Sequence, residues 1–158
     1  MSQPRVDVYN FPHKGIRNLI SQVSFMAGNT DYSNQHALDE LKKKAAESIS
    51  ILNLHLHSEE EHLLPALEAK LPGSTRDNVE EHELLENTVD QISDSLRKLA
   101  VKVSPVEGIQ CSSMLNGFHA KYLDHMAMEE SKMNAFIWDH FTDDELMGIY
   151  GTIMSKLA

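Results

Sequence analysis

Apolar residues recur along this chain with the period of an α-helix, and strand-like alternation is absent. Asn10-Phe11-Pro12 reads as a helix start with proline near the first turn, and Ile16, Leu19, Ile20, Val23 and Met26 carry the period up to Gly28. The stretch from Gly28 to Asn34 (GNTDYSN) is turn chemistry. A longer second helix follows through Leu38, Leu41, Ala45, Ile49, Leu52, Leu56 and Leu63. Pro65 should kink or end it, because proline lacks a backbone donor and crowds residue i−4. Leu71-Pro72-Gly73 is a stop, after which Ser74 or Asp77 can cap a third helix through His82, Leu85, Val89, Ile92, Leu96 and Leu99. Ser104-Pro105-x-Glu107 is a capping box that opens a fourth helix through Met114, Phe118, Tyr122 and His125 to about Trp138. Thr142-x-x-Glu145 is a second box, opening a short fifth helix with Leu146, Ile149, Tyr150 and Ile153. The pattern predicts an all-α fold: an up-down-up-down four-helix bundle over about residues 10–140 with a C-terminal helix over about 143–157, residues 1–158 forming a single domain.

Composition adds exclusions. A formal charge of −10 argues against nucleic acid or an anionic membrane surface as partner, since both call for an excess of Lys and Arg. The single cysteine, Cys111, cannot form an internal disulfide and suits a reducing compartment. The N-terminus has no apolar signal-like core, and no run of ~18 apolar residues occurs, so a cytoplasmic location is expected. Nine histidines in 158 residues are the first compositional hint of metal.

The spacing of those histidines sharpens the hint. His57 and Glu61 stand i, i+4 on the second helix, which places imidazole and carboxylate on one face a turn apart. His125 and Glu129 repeat the arrangement on the fourth helix, with His13 and His82 in matching places on the first and third. Midpoints between successive ligand positions fall near residues 35, 70 and 103.5, where the turn signals lie. In an antiparallel bundle this brings four imidazoles and two carboxylates to one height. Six such ligands suit a pair of ions, each receiving two His and sharing bridging Glu, with positions left for an oxo or hydroxo bridge and an external small molecule. Iron, manganese and zinc are all compatible with imidazole plus carboxylate. Elsewhere, His55 and His62 project away from the His57–Glu61 stripe and are read as outward or inter-helix polar residues, not ligands. Glu59, Glu60, Glu80, Glu81 and Glu130 are read as solvated faces, one of which could orient a ligand imidazole. Tyr122 and Cys111 are read as core.

His13, then HSEEEH with a Leu-Pro-Ala-Leu tail, then EEHELL, then YLDHMAMEE, resembles the hemerythrin-like (HHE cation-binding) family over roughly residues 10–140. The resemblance implies a four-helix bundle around a non-haem centre of two iron ions, oxo- or hydroxo-bridged, with His13, His57, Glu61, His82, His125 and Glu129 as ligands. Two departures stand out. Oxygen-carrying members have a further histidine one turn after the first on the third helix, where this chain has Glu86, a candidate seventh ligand. They also use His-x-x-x-x-Asp on the fourth helix, and His119-x-x-x-x-Asp124 offers that rival register, but it moves the last turn midpoint away from the Ser104-Pro105 box.

The function expected on this reading is binding of, or reaction with, a small diatomic or peroxide (O2, NO or H2O2) at the iron pair. Glu86 in place of the fifth histidine tilts away from reversible oxygen carriage and toward redox chemistry, which leaves a diiron oxidoreductase open. The alternative is an iron-responsive or iron-handling module without turnover, and a metal-free helical interaction domain is the remaining case.

Overall fold

A computed structural model describes residues 4–101 and 105–157. Among these residues the secondary structure is entirely helical. The chain before the first helix is anchored by burial of Val8 and Tyr9, and the Asp7 carboxylate accepts from the backbone N–H of Tyr9 and Asn10, both at 3.0 Å. Helix α1 (Asn10–Asn29) then begins where the sequence pattern placed it. Helix α2 (Gln35–Ser58) is capped by Asn34, whose side chain accepts from the Ala37 N–H at 3.1 Å.

Pro65 does not end this second rod. The helix loosens into a π-helical turn, π1 (Glu59–Leu63), and resumes as α3 (Leu64–Lys70), with Pro65 in the first turn of α3 where a missing donor does no harm. The fourth rod behaves the same way: α5 (Pro105–Met128) passes through π2 (Glu129–Met133) into α6 (Asn134–His140). No proline stands at residue 135, so proline is not the common cause of the two turns.

Helix α4 (Arg76–Lys98) starts without a side-chain cap, so neither Ser74 nor Asp77 serves as expected. The preceding turn is held by Glu68, which accepts from the Gly73 N–H at 2.6 Å and the Thr75 hydroxyl at 2.8 Å. Gly73 takes φ +87°, where a side chain would be strained. Ser104 of the expected box before α5 lies outside the described residues. The Thr142–Glu145 box forms reciprocally and opens α7 (Asp143–Leu157).

Helix α1 packs on α2 and α5, α4 packs on α5 and α2, and α7 lies against π1. Burial of the periodic apolar stripes produces two clusters. One runs along the long helices and includes Ile16, Leu38, Leu52, Leu56, Ile92, Phe118, Tyr122 and Met126. The other, around α3, α6 and α7, includes Tyr9, Leu64, Leu67, Ile137 and Leu146. Between them along each rod come His13, His55 to Glu59, His82, and His125 to Glu129. Among the described residues no helix is long and apolar enough to cross a membrane.

Candidate metal centre

Two groups of potential ligand atoms meet in the interior: His13, His55, Glu59 and Glu129 form one, and His82, His125, Glu59 and Glu129 the other. Within each group the atoms lie within 4.8 Å of one another, and both carboxylates belong to both groups. Glu129 stands 3.2 Å from His13 Nε2, 3.1 Å from His125 Nε2 and 3.5 Å from His82 Nε2. Glu59 stands 3.1 Å from His55 Nε2 and 3.3 Å from His82 Nε2.

Four of the six expected residues, His13, His82, His125 and Glu129, therefore come together. His57 and Glu61 do not. The His57 side chain is 70% exposed, and Glu61 faces outward, where Lys156 of α7 binds it at 3.1 Å. Their places are taken by His55 and Glu59, which share the same i, i+4 spacing two residues earlier. The reason is helix phase. Glu59 follows Leu52 by seven residues, so it returns to within ~20° of that buried leucine, whereas His57 points ~140° away. That phase was available from Leu52 and Leu56 as the signal for the correct pair. Glu86 is exposed and belongs to neither group, and His119 instead meets Ser21 at 3.4 Å.

Each π turn starts at a central carboxylate: the Leu64 N–H reaches the Glu59 carbonyl and the Asn134 N–H the Glu129 carbonyl, five residues back. Such turns are rare and concentrate at functional sites. They are 70 residues apart, as are His55 and His125, Glu59 and Glu129, and Glu60 and Glu130.

A second layer orients the imidazoles. Glu130 accepts from His13 Nδ1 at 2.9 Å, Glu60 from His82 Nδ1 at 3.1 Å, and Glu81 from His125 Nδ1 at 2.9 Å. Arg17 grips Glu130 through both oxygens at 2.7 and 2.8 Å. A carboxylate on Nδ1 fixes the hydrogen there and turns the Nε2 lone pair inward, the arrangement that ligating histidines need. Asn78 donates to Glu129 at 3.0 Å. The Tyr122 ring lies 5.8 Å from that of His125, and the Tyr9 ring 5.2 Å from that of His13.

The electrostatics are those of a centre built for cations. Burial and then the Glu129 charge push the Glu59 carboxyl from 4.5 up to about 8. Glu129 is also desolvated, but the adjacent His125, His13 and His82 imidazoles hold it well below its usual range. Burial would lower His82, yet Glu129 and Glu59 outweigh it and raise the imidazole from 6.5 to about 10. Burial and the facing His13 ring push His55 down to about 3. Burial and both central carboxylates raise the Tyr9 and Tyr122 phenols well above their ordinary value. The Nε2 atoms of all four histidines, one oxygen each of Glu59 and Glu129, and both phenol oxygens are buried without a hydrogen-bond partner. Each orphan of that kind costs about 1–3 kcal/mol. Cations between the imidazoles and carboxylates would satisfy six of them at once, so the donor set fits metal.

Fold and site together define an all-helical protein whose buried His/Glu groups can hold a metal. The match to a family model is in accord: residues 6–137 match the Hemerythrin HHE cation binding domain, and the chain belongs to that family. It is also similar to F-box/LRR-repeat protein 5 of Xenopus laevis, 22% identical over 152 residues, and of Mus musculus, 21% identical over 152 residues. The match covers 96% of this chain but only 22% of each relative, so the chain spans about a fifth of their length.

Proposed function

We propose that this chain is a non-haem diiron protein that binds or reacts with O2, NO or peroxide at the iron pair, folded as a single domain in an up-down-up-down four-helix bundle. One observation carries the reading: two groups of two histidines share the same two carboxylates, Glu59 and Glu129. A lone ion has no use for six buried ligands. Two ions would use them all, Glu59 and Glu129 serving both groups, and would leave open positions for an exogenous molecule. Between iron, manganese and zinc, family membership favours iron.

When bound, the ions would supply redox equivalents and those open positions. The chain's own residues do the rest. Glu60, Glu81 and Glu130 hold the hydrogens of three imidazoles on Nδ1, and Asn78 fixes one oxygen of Glu129. Tyr9 and Tyr122 keep their phenolic hydrogens at neutral pH beside the centre and can donate them to a molecule bound there. The apolar clusters above and below exclude water.

The test is anaerobic Fe(II) loading followed by air. About two irons per chain and oxo-bridge charge-transfer bands are expected, and a colourless protein that takes up no iron would sink the proposal. A second reading, an iron-responsive module without turnover, is favoured by the relatives, in which the matched region is one part of a much longer chain. A melting temperature that climbs with iron, without consumption of peroxide or NO, distinguishes it.

A further inference from the structure

Three of the four central imidazoles have a carboxylate on Nδ1. His55 is the exception. Its Nε2 turns to Glu59 at 3.1 Å, its side chain is only 10% exposed, and no group among the described residues meets its Nδ1. The reason can be read from the repeat. Glu81, which serves His125, immediately precedes His82, and the residue that immediately precedes His13 is Pro12, with no acceptor to offer. In the place of a carboxylate His55 borders a cavity of about 280 Å3 between α1, α2 and α7. Small-molecule sites begin at roughly that size, ~300 Å3. Apart from His55, Ser58 and Glu59 the walls are largely apolar, and Phe11, Ile51, Leu54 and Met154 are large hydrophobic side chains left exposed. An imidazole nitrogen without a protein partner, on a side chain nine-tenths buried that borders an apolar cleft, is the signature of a site for an amphipathic ligand.

We infer that this cleft binds a medium-chain carboxylate, its alkyl tail along the α1–α2–α7 walls and its head group accepting the hydrogen of His55 Nδ1, in the position that Glu81 holds at His125. The head group completes the set of four imidazole–carboxylate pairs. The polarity of the contact rests on the metal reading above, because an ion on Nε2 leaves the hydrogen on Nδ1. Ligand and metal then help each other: a carboxylate on Nδ1 raises the basicity of Nε2, and by linkage the loaded centre binds the carboxylate more tightly. The coupling places metal occupancy under the control of an apolar metabolite.

The experiment is calorimetric titration of decanoate and decanol into the metal-free and iron-loaded protein. One decanoate per chain is expected, tighter than decanol by about tenfold or more, as a charged acceptor on an imidazole N–H should be. Two variants locate it. Gly15 borders the cleft with open space where a Cβ would stand, so Gly15→Leu places an alkyl side chain at the cavity wall and should abolish binding. Pro12→Glu supplies the missing acceptor and should weaken decanoate about tenfold while sparing decanol. Decanol binding as tightly as decanoate, or unchanged binding in Gly15→Leu, overturns the assignment. So does decanoate that binds only the loaded protein and is indifferent to Pro12→Glu, since it is then a ligand of the metal itself. Decanoate binding in a protein that takes up no iron would leave the cleft in place and remove the diiron reading, so the two failures are distinguishable.

Discussion

Replacing Glu59 by Gln separates the site from its surroundings more sharply than any other change, because the metal-free and loaded proteins should respond in opposite directions. In the metal-free fold the Glu59 carboxyl is fully buried beside Glu129 and stands at about 8. A group raised on folding favours the folded state at low pH and withdraws that support as pH climbs from its ordinary 4.5 through 8. At pH 7 most of the loss has occurred: taking about 1.4 kcal/mol per pH unit, Glu59 destabilises the metal-free protein by about 3 kcal/mol. Glutamine keeps the shape and cannot ionise. For a chain of this length, about 2–4 °C of melting temperature per kcal/mol translates the relief into a rise of roughly 6–12 °C. The loaded protein loses instead, since Glu59 belongs to both ligand groups, and iron in hundredfold excess over its dissociation constant should no longer add its ~2.7 kcal/mol. Differential scanning calorimetry at pH 7 and near pH 4.5, with and without Fe(II), reads both effects. The metal-free melting curves of wild type and E59Q should converge toward pH 4.5. Glu61→Gln is the control, expected to leave the iron-induced rise intact. A metal-free E59Q that melts below wild type at pH 7, or an iron-induced rise that survives in E59Q and disappears in E61Q, refutes the placement of Glu59 at the centre.

Three further outcomes follow from the same geometry. Loading must displace the protons that Glu59 and His82 hold at neutral pH, so iron affinity should rise with pH, more steeply below about 8 than above it; an affinity flat between pH 6 and 8 counts against both residues as ligands. Glu81→Gln removes the charged acceptor on His125 Nδ1 and should weaken iron about 10–100-fold in competition with a chelator, whereas Glu80→Gln, whose carboxylate pairs with Arg76 at the surface, should not. Tyr122→Phe deletes a buried hydroxyl without a partner, so the metal-free protein should melt higher by the equivalent of about 1–3 kcal/mol, with iron stoichiometry unchanged; a lower melting temperature would mean the phenol is already satisfied.

The helices were legible because their signals are local. Apolar period, the GNTDYSN and Leu-Pro-Gly turns and the Thr142–Glu145 box each act within a few residues, and the structure reproduces them. Pro65 does not end the rod because a proline's effect depends on what the preceding turn can absorb, and a π turn absorbs it. For the site, His13, His82, His125 and Glu129 could be found by spacing alone. The second rod could not, since HLHSEEEH contains two i, i+4 His/Glu pairs two residues apart. The turn-midpoint argument is blind to that choice, as moving a ligand by two residues moves a midpoint by one. Only the phase against Leu52 and Leu56 separates them, and once His55 and Glu59 are taken the repeat becomes 70 residues for both ligand pairs.

What lay beyond reach of the sequence was the second layer, because it depends on which glutamate of each acidic run meets a neighbouring rod. Glu60 and not Glu61 reaches His82, and Glu130 reaches His13 with Arg17 behind it. These contacts join residues more than twenty positions apart, and no local pattern encodes them. Once the repeat is set in its correct register, however, the odd member becomes visible in the sequence itself. Position 12 answers to position 81, and it holds the proline that starts α1. A proline in the first turn of α1 offers no side-chain acceptor, so one imidazole of the four has no carboxylate behind it.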